Sequence, residues 1–213
     1  MTAPAVSTAA IPPANRSTSS PAAVSAPHPG RRAAWLVLGL AVATLARAAA
    51  NGHTTTTALA AGSAFGVALI CVALVAGWRP ARPPLRSLGI GALGAAVLVG
   101  LPLLLHPAAM SAMGMRPGPL VVWAAVTILV ATGEEVLLRG ALFDAFGRLY
   151  GLWAAVLVSS LAFAIMHVPL YGWAVVPLDI AAGVWLCALR LSSGGIAAPA
   201  VAHALADLAT WWL

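Results

Sequence analysis

Apolar residues fill long blocks of the chain, and short groups of proline, glycine and arginine separate the blocks. The blocks cover residues 33–46, 57–77, 88–105, 120 to about 149, 152–167, 175–191 and 196–213. A bilayer core of about 30 Å is crossed by about 20 apolar residues in a helix. The pattern therefore predicts an all-α polytopic transmembrane bundle of about seven spans. The breaks agree with this: 78–86 carries Pro80, Pro83 and Pro84, 106–119 is a loop, Tyr150-Gly151 is a turn, and 192–195 reads Ser-Ser-Gly-Gly. The fifth helix is expected to close at Pro169.

Residues 1–32 differ in kind. They are rich in Pro, Ala, Ser and Thr without an apolar period, which predicts a disordered tail. The remainder, 33–213, is expected to be one integral membrane domain. Arg31-Arg32 before a short apolar block, with Ala46-Arg47-Ala48 after it, mimics a signal peptide. The long polar leader and the arginine inside the triplet favour a retained first helix.

Composition supports the membrane reading. Of 213 residues, 62% are hydrophobic and 8% charged, against about 25% charged in soluble domains. The net charge is +6, and every basic residue is arginine. The arginines stand singly or in small groups between apolar blocks, which excludes a nucleic-acid surface and follows the positive-inside rule. A cytoplasmic N-terminus puts Arg16, Arg31, Arg32, Arg79, Arg82, Arg86, Arg139, Arg148 and Arg190 inside, and Arg47 and Arg116 outside. A multi-pass protein of the plasma membrane with its N-terminus in the cytoplasm is the resulting expectation. Cys71 and Cys187 lie in separate blocks and read as packing thiols.

The chain has five acidic residues: Glu134, Glu135, Asp144, Asp179 and Asp207. A charge inside an apolar block costs a few kcal/mol, so those retained there usually do chemistry, carry ions or pair. Thr132-Gly133-Glu134-Glu135-Val136-Leu137-Leu138-Arg139-Gly140 holds two of the acids. Neighbours on a helix point about 100° apart, so both cannot serve one atom. Glu135 and Arg139 share a face as an i, i+4 pair with the acid first. Glu134 is then the unpaired carboxylate and the candidate general base, although a helix-stabilising salt bridge with a spare carboxylate is also compatible.

Two further groups stand out. His167 closes Phe163-Ala164-Ile165-Met166-His167, where a histidine can also serve only in packing. Glu134 lies 17 residues before Gly151 and His167 lies 16 after it, so straight helices would bring both to one level, about 24 Å from the turn. His203 and Asp207 share a face of the last helix; they can hold a metal, the Asp can orient the His, or the pair can join helices. Asp179 reads as a partly buried polar contact and Asp144 as interfacial. His28, His53 and His106 fall in the tail and loops.

Glu-Glu-x-x-x-Arg, Phe-x-x-x-His and His-x-x-x-Asp, in this order on three membrane helices, resemble the CAAX protease and bacteriocin-processing (CPBP, or Abi) family of intramembrane endopeptidases, which includes the type II CAAX prenyl endopeptidases. The resemblance covers about 120–213, the motif-bearing core. It implies peptide-bond hydrolysis within the membrane, with Glu134 activating water, Glu135 and Arg139 supporting it, and His167, His203 and Asp207 completing the site. The third motif often ends in asparagine in the prenyl proteases, and an ionised aspartate cannot donate a hydrogen bond in its place.

Two mechanisms follow from the resemblance. In one, Glu134 with His167 activates water and His203 stabilises the oxyanion. In the other, His167, His203 and Asp207 hold Zn²⁺; the aspartate tips the expectation toward this form. The implied substrate is a membrane-associated or lipidated peptide or a small membrane protein, met in the lipid bilayer, with no nucleic acid involved. Different classes of function remain compatible: a proton- or ion-coupled transporter using the buried cluster, or a non-catalytic immunity or binding protein.

Overall fold

The computed structural model describes residues 29–50, 54–105 and 118–213. The expected tail up to residue 28, with His28, lies outside the described residues, as do His53 and residues 106–117 of the expected loop, with His106. All regular structure among the described residues is helical: α1 (Pro29–Ala50), α2 (Thr55–Val75), α3 (Arg86–Leu105), α4 (Leu120–Glu135), a π-helical stretch (Val136–Leu142), α5 (Phe143–Tyr150), α6 (Leu152–Tyr171), a 3₁₀ turn (Trp173–Val175), α7 (Val176–Ser193) and α8 (Ala197–Ala209). Six helices are long and apolar enough to cross a membrane, with Leu120–Tyr150 counted as one. The protein is a multi-pass membrane protein.

Several boundaries differ from expectation for physical reasons. Helix α1 extends beyond its apolar block at both ends, from Pro29 to Ala50. Apolarity marks depth in lipid, whereas proline in a first turn and the alanines around Arg47 favour helix at any depth. Helix α6 does not close at Pro169 but runs to Tyr171 and stops at Gly172, whose φ of 79° suits glycine. The last span is shorter than expected. Helix α8 has 13 residues, about 20 Å, and Thr210 to Trp212 follow in tight turns that bond three residues back. Thr54 caps α2, exchanging bonds with Thr57 in a capping box.

Glycines let the helices around the site approach closely. A Cβ on Gly133 would stand 2.6 Å from the carbonyl oxygen of Gly66, so α4 and α2 touch backbone to backbone just before Glu134. The Gly/Ala-rich α3 lies on α8 in the same way, with Gly91 against the Ala198 carbonyl. Leu36, Leu69, Leu137, Leu138 and Leu186 fill the interior, while Trp35, Leu38, Val42 and Leu45 on α1 face outward as a lipid-exposed side chain should. Trp211 stacks at a tilt on Trp123, with ring centroids 4.9 Å apart.

Candidate active site

Glu134 and Glu135 end α4, and the backbone widens immediately after them. All seven residues of the π-helical stretch are buried. Such segments are rare and are frequent at functional sites. Here the wider turn directs carbonyls to neighbouring helices: Ser159 Oγ on α6 donates to Leu138 O at 3.1 Å, and Arg190 Nε on α7 donates to Arg139 O. Arg190 also holds Asp144 and lies over the Phe143 ring.

The expected Glu135–Arg139 pair forms despite the change of winding. Arg139 Nη1 donates to Glu135 Oε1 at 2.9 Å, with both side chains fully buried. Arg139 Nη2 donates to the Gly183 carbonyl on α7 at 3.2 Å, and its guanidinium lies 4.6 Å from the Phe163 ring centroid. Glu135 Oε1 also bonds His203 Nδ1 on α8 at 2.9 Å. Glu135 is therefore the joint of the site: one oxygen receives charges from two helices.

That bond turns the other nitrogen of His203 outward from Glu135. Nε2 stands 3.7 Å from Glu134 Oε2 and 3.5 Å from Asp207 Oδ2. Both ring nitrogens thus face carboxylates, an arrangement that suits an imidazolium donating from each. At these separations a water hydrogen-bonded to both atoms sits to one side of the pair, not between them. Glu134 is buried, whereas the Asp207 side chain is 43% exposed, so the gap around Nε2 lies between a sheltered acid and an open edge.

Glu134 is not the unpaired carboxylate expected from sequence. Arg47 Nη1 on α1 approaches its Oε1 to 3.7 Å, and the same guanidinium lies 4.6 Å from the Phe65 ring centroid. Sequence reasoning assigned Arg47 to an outer segment, yet it satisfies the criterion that singled out Arg139, a charge inside an apolar helix.

His167 is close enough to interact electrostatically with Glu134, and its ring meets Phe163 edge-on at 4.8 Å. Phe163 in turn meets His203 edge-on at 5.3 Å, so one ring contacts both histidines. Nδ1 of His167 stands 3.1 Å from Asp179 Oδ2 on α7, near enough for an ion pair but not aligned as a hydrogen bond. Asp179 is the second participant that the sequence left aside. The structure thus gathers Glu134, Glu135, Arg139, His203 and Asp207 into one contact network, with His167 beside it.

The donors expected to hold zinc are arranged differently. Among the described residues, no group of three or more His, Cys, Asp or Glu side chains could hold a metal ion. His203 and Asp207 are neighbours, but His167 turns away from them to Asp179. This donor set does not fit a three-ligand metal site.

Residues 116–209 match the family model described as Type II CAAX prenyl endopeptidase Rce1-like. The match bears out the resemblance carried by the three motifs and supports a CAAX-type intramembrane protease. No curated protein and no solved structure matches the chain.

Proposed function

We propose, on the premise that residues 116–209 are of the type II CAAX prenyl endopeptidase Rce1-like kind, that the protein hydrolyses a peptide bond of a membrane-associated or lipidated substrate. The observation that supports this most is the gap beside His203 Nε2, 3.7 Å from Glu134 Oε2. A water there can give a proton to Glu134 while its oxygen attacks the scissile carbonyl. The oxyanion then forms beside two cations, Arg47 and the His203 ring. Glu134 returns the proton to the leaving amine, so one water and one peptide become an acid and an amine.

The other residues prepare this step. Glu135 orients His203 and is itself held by Arg139. Asp207, which the motif comparison makes unusual, faces the same nitrogen from the exposed side and helps to fix the ring. His167, set by Asp179 and Phe163, lies beside Glu134, where it can meet the peptide. The substrate enters from the bilayer, and the arginine asymmetry supports a plasma-membrane location with a cytoplasmic N-terminus.

The test is cleavage of membrane-tethered peptides by protein in liposomes. Glu134→Gln is expected to lose about 10²- to 10⁴-fold in rate with the fold kept. Unchanged cleavage in that variant overturns the proposal, and charge movement across the liposome without any cleavage replaces it with transport. Metal analysis of the wild type beside His203→Ala completes the test. Stoichiometric zinc lost in that variant would move water activation from the carboxylate alone to a metal.

A further inference from the structure

At the end of the bundle where α1 begins, far along the chain from the Glu pair, an apolar groove of about 500 Å³ runs between α1 and α5. Its α1 wall is low because Gly30 has no side chain and Ala34 and Ala41 carry only methyl groups, and Phe146 and Leu149 of α5 form the opposite wall. From Gly30 to Ala41 the helix rises about 16 Å. That is half of the roughly 30 Å hydrocarbon core, the depth of one leaflet. The trough therefore has the length, shape and apolarity for one acyl chain.

The polar end of the trough is cationic. Arg31 and Arg32 lie in the first turn of α1, and Arg148 lies on α5 between the groove residues Phe146 and Leu149. Arg32 interacts electrostatically with Arg148, a like charge, and with Asp144. Asp144 is already bonded to Arg190. The chain's other acids, Glu134, Glu135, Asp179 and Asp207, are all engaged around the candidate active site. No further side-chain carboxylate exists in the sequence to neutralise this corner. The Arg32 Nε is buried and without a hydrogen bond among the described residues. A second cavity of about 290 Å³, lined by Asp144, Gly147 and Arg148, adjoins α5 on the same level.

We propose that this corner binds one anionic phospholipid of the leaflet at which α1 begins, with an acyl chain in the α1–α5 groove and the phosphate between Arg32 and Arg148. The charge matches, since a zwitterionic headgroup would bring its own cation to a corner with cations to spare. The geometry matches as well, because the apolar trough and the arginines meet at the depth where headgroup and chain meet. Such a lipid would lie against α1, the helix that carries Arg47 to Glu134, but the proposal does not depend on what the active site does.

The experiment is native mass spectrometry of the full chain released from nanodiscs of palmitoyl-oleoyl phosphatidylcholine with 20% palmitoyl-oleoyl phosphatidylglycerol, alongside dihexanoyl phosphatidylglycerol and inorganic phosphate. Wild-type protein is expected to retain one long-chain phosphatidylglycerol in preference to phosphatidylcholine. Arg148→Gln should weaken retention about fivefold, and Arg32→Gln/Arg148→Gln about 25-fold. Arg79→Gln/Arg82→Gln, in the loop between α2 and α3, should leave it unchanged. Ala41→Trp fills the exposed trough without touching an arginine, so it keeps the test open if the double variant fails to fold. It should weaken the long-chain lipid and leave the dihexanoyl form unaffected. Equal retention of both headgroups, undiminished retention in Arg148→Gln and Ala41→Trp, or equally tight binding of inorganic phosphate would each overturn the proposal.

Discussion

Removing the Glu135 carboxylate tests the central joint of the site. Its Oε1 receives Arg139 Nη1 and His203 Nδ1, each at 2.9 Å, and no part of Glu135 or Arg139 reaches solvent. Hydrogen bonds to charged groups contribute about 1.5–3 kcal/mol each, and removing one partner of a buried ion pair typically costs about 3–5 kcal/mol. Glu135→Met should therefore destabilise the folded protein by about 3–5 kcal/mol, roughly 10²- to 10⁴-fold in the folded-to-unfolded ratio. Arg139→Met should cost less, because Glu135 keeps His203 as a partner, although the bond to Gly183 O is lost. The double variant should be more stable than Glu135→Met alone, since no uncompensated cation remains in the interior. Reversible unfolding in mixed micelles, read for the four proteins as a double-mutant cycle, measures these differences. The reasoning fails if Glu135→Met lies within about 1 kcal/mol of the wild type, or if the double variant loses at least the sum of the singles.

Three further outcomes follow from other contacts. Asp179→Asn removes the anion 3.1 Å from His167 and should lower kcat about tenfold with KM and stability nearly unchanged, with Asp179→Glu recovering part of the rate; a pure KM effect would assign Asp179 to substrate binding instead. Gly133→Ala would place a Cβ 2.6 Å from the Gly66 carbonyl, which cannot yield as a side chain would, and should cost about 1–3 kcal/mol in unfolding assays, whereas Gly89→Ala, with open space around it, should cost nothing. Arg47→Gln should slow cleavage about tenfold or more while leaving the helical circular dichroism intact, and an unchanged rate would remove Arg47 from the chemistry.

The helices and the Glu135–Arg139 pair were legible in the sequence because both rest on local rules. Long apolar blocks need lipid, and residues four apart on a helix meet even where the winding widens. The gathering of Glu134, His203 and Asp207 was anticipated only through the order of the motifs, since spacing along the chain does not set distance across it. Two contacts were not legible for this reason: Arg47 reaches Glu134 from α1, and Asp179 reaches His167 from the start of α7. The Glu134–His167 depth argument assumed an unbroken α-helix up to the turn, and the π-helical stretch has no distinguishing sequence pattern. The length of α8 was overestimated because no proline or glycine interrupts the end of the block, from Val201 to Leu213, yet Thr210 to Trp212 fold into tight turns.

The position of the π-helical stretch explains how one short segment can hold a site built from several helices. A helical carbonyl keeps a second lone pair for a neighbour, as Gly183 in the regular α7 does for Arg139. In the π-helical stretch two successive carbonyls are used in this way, Leu138 by Ser159 and Arg139 by Arg190, which binds α6 and α7 to the turn carrying Arg139. Those are the helices that supply His167 and Asp179. Arg139 then reaches back to Glu135 and across to Gly183, and Glu135 holds α8 through His203. The backbone irregularity and the buried ion pair therefore act together. The first fixes which helices surround the Glu pair, and the second fixes where the His203 ring points, leaving Glu134 as the carboxylate whose Oε2 faces the gap where water would react.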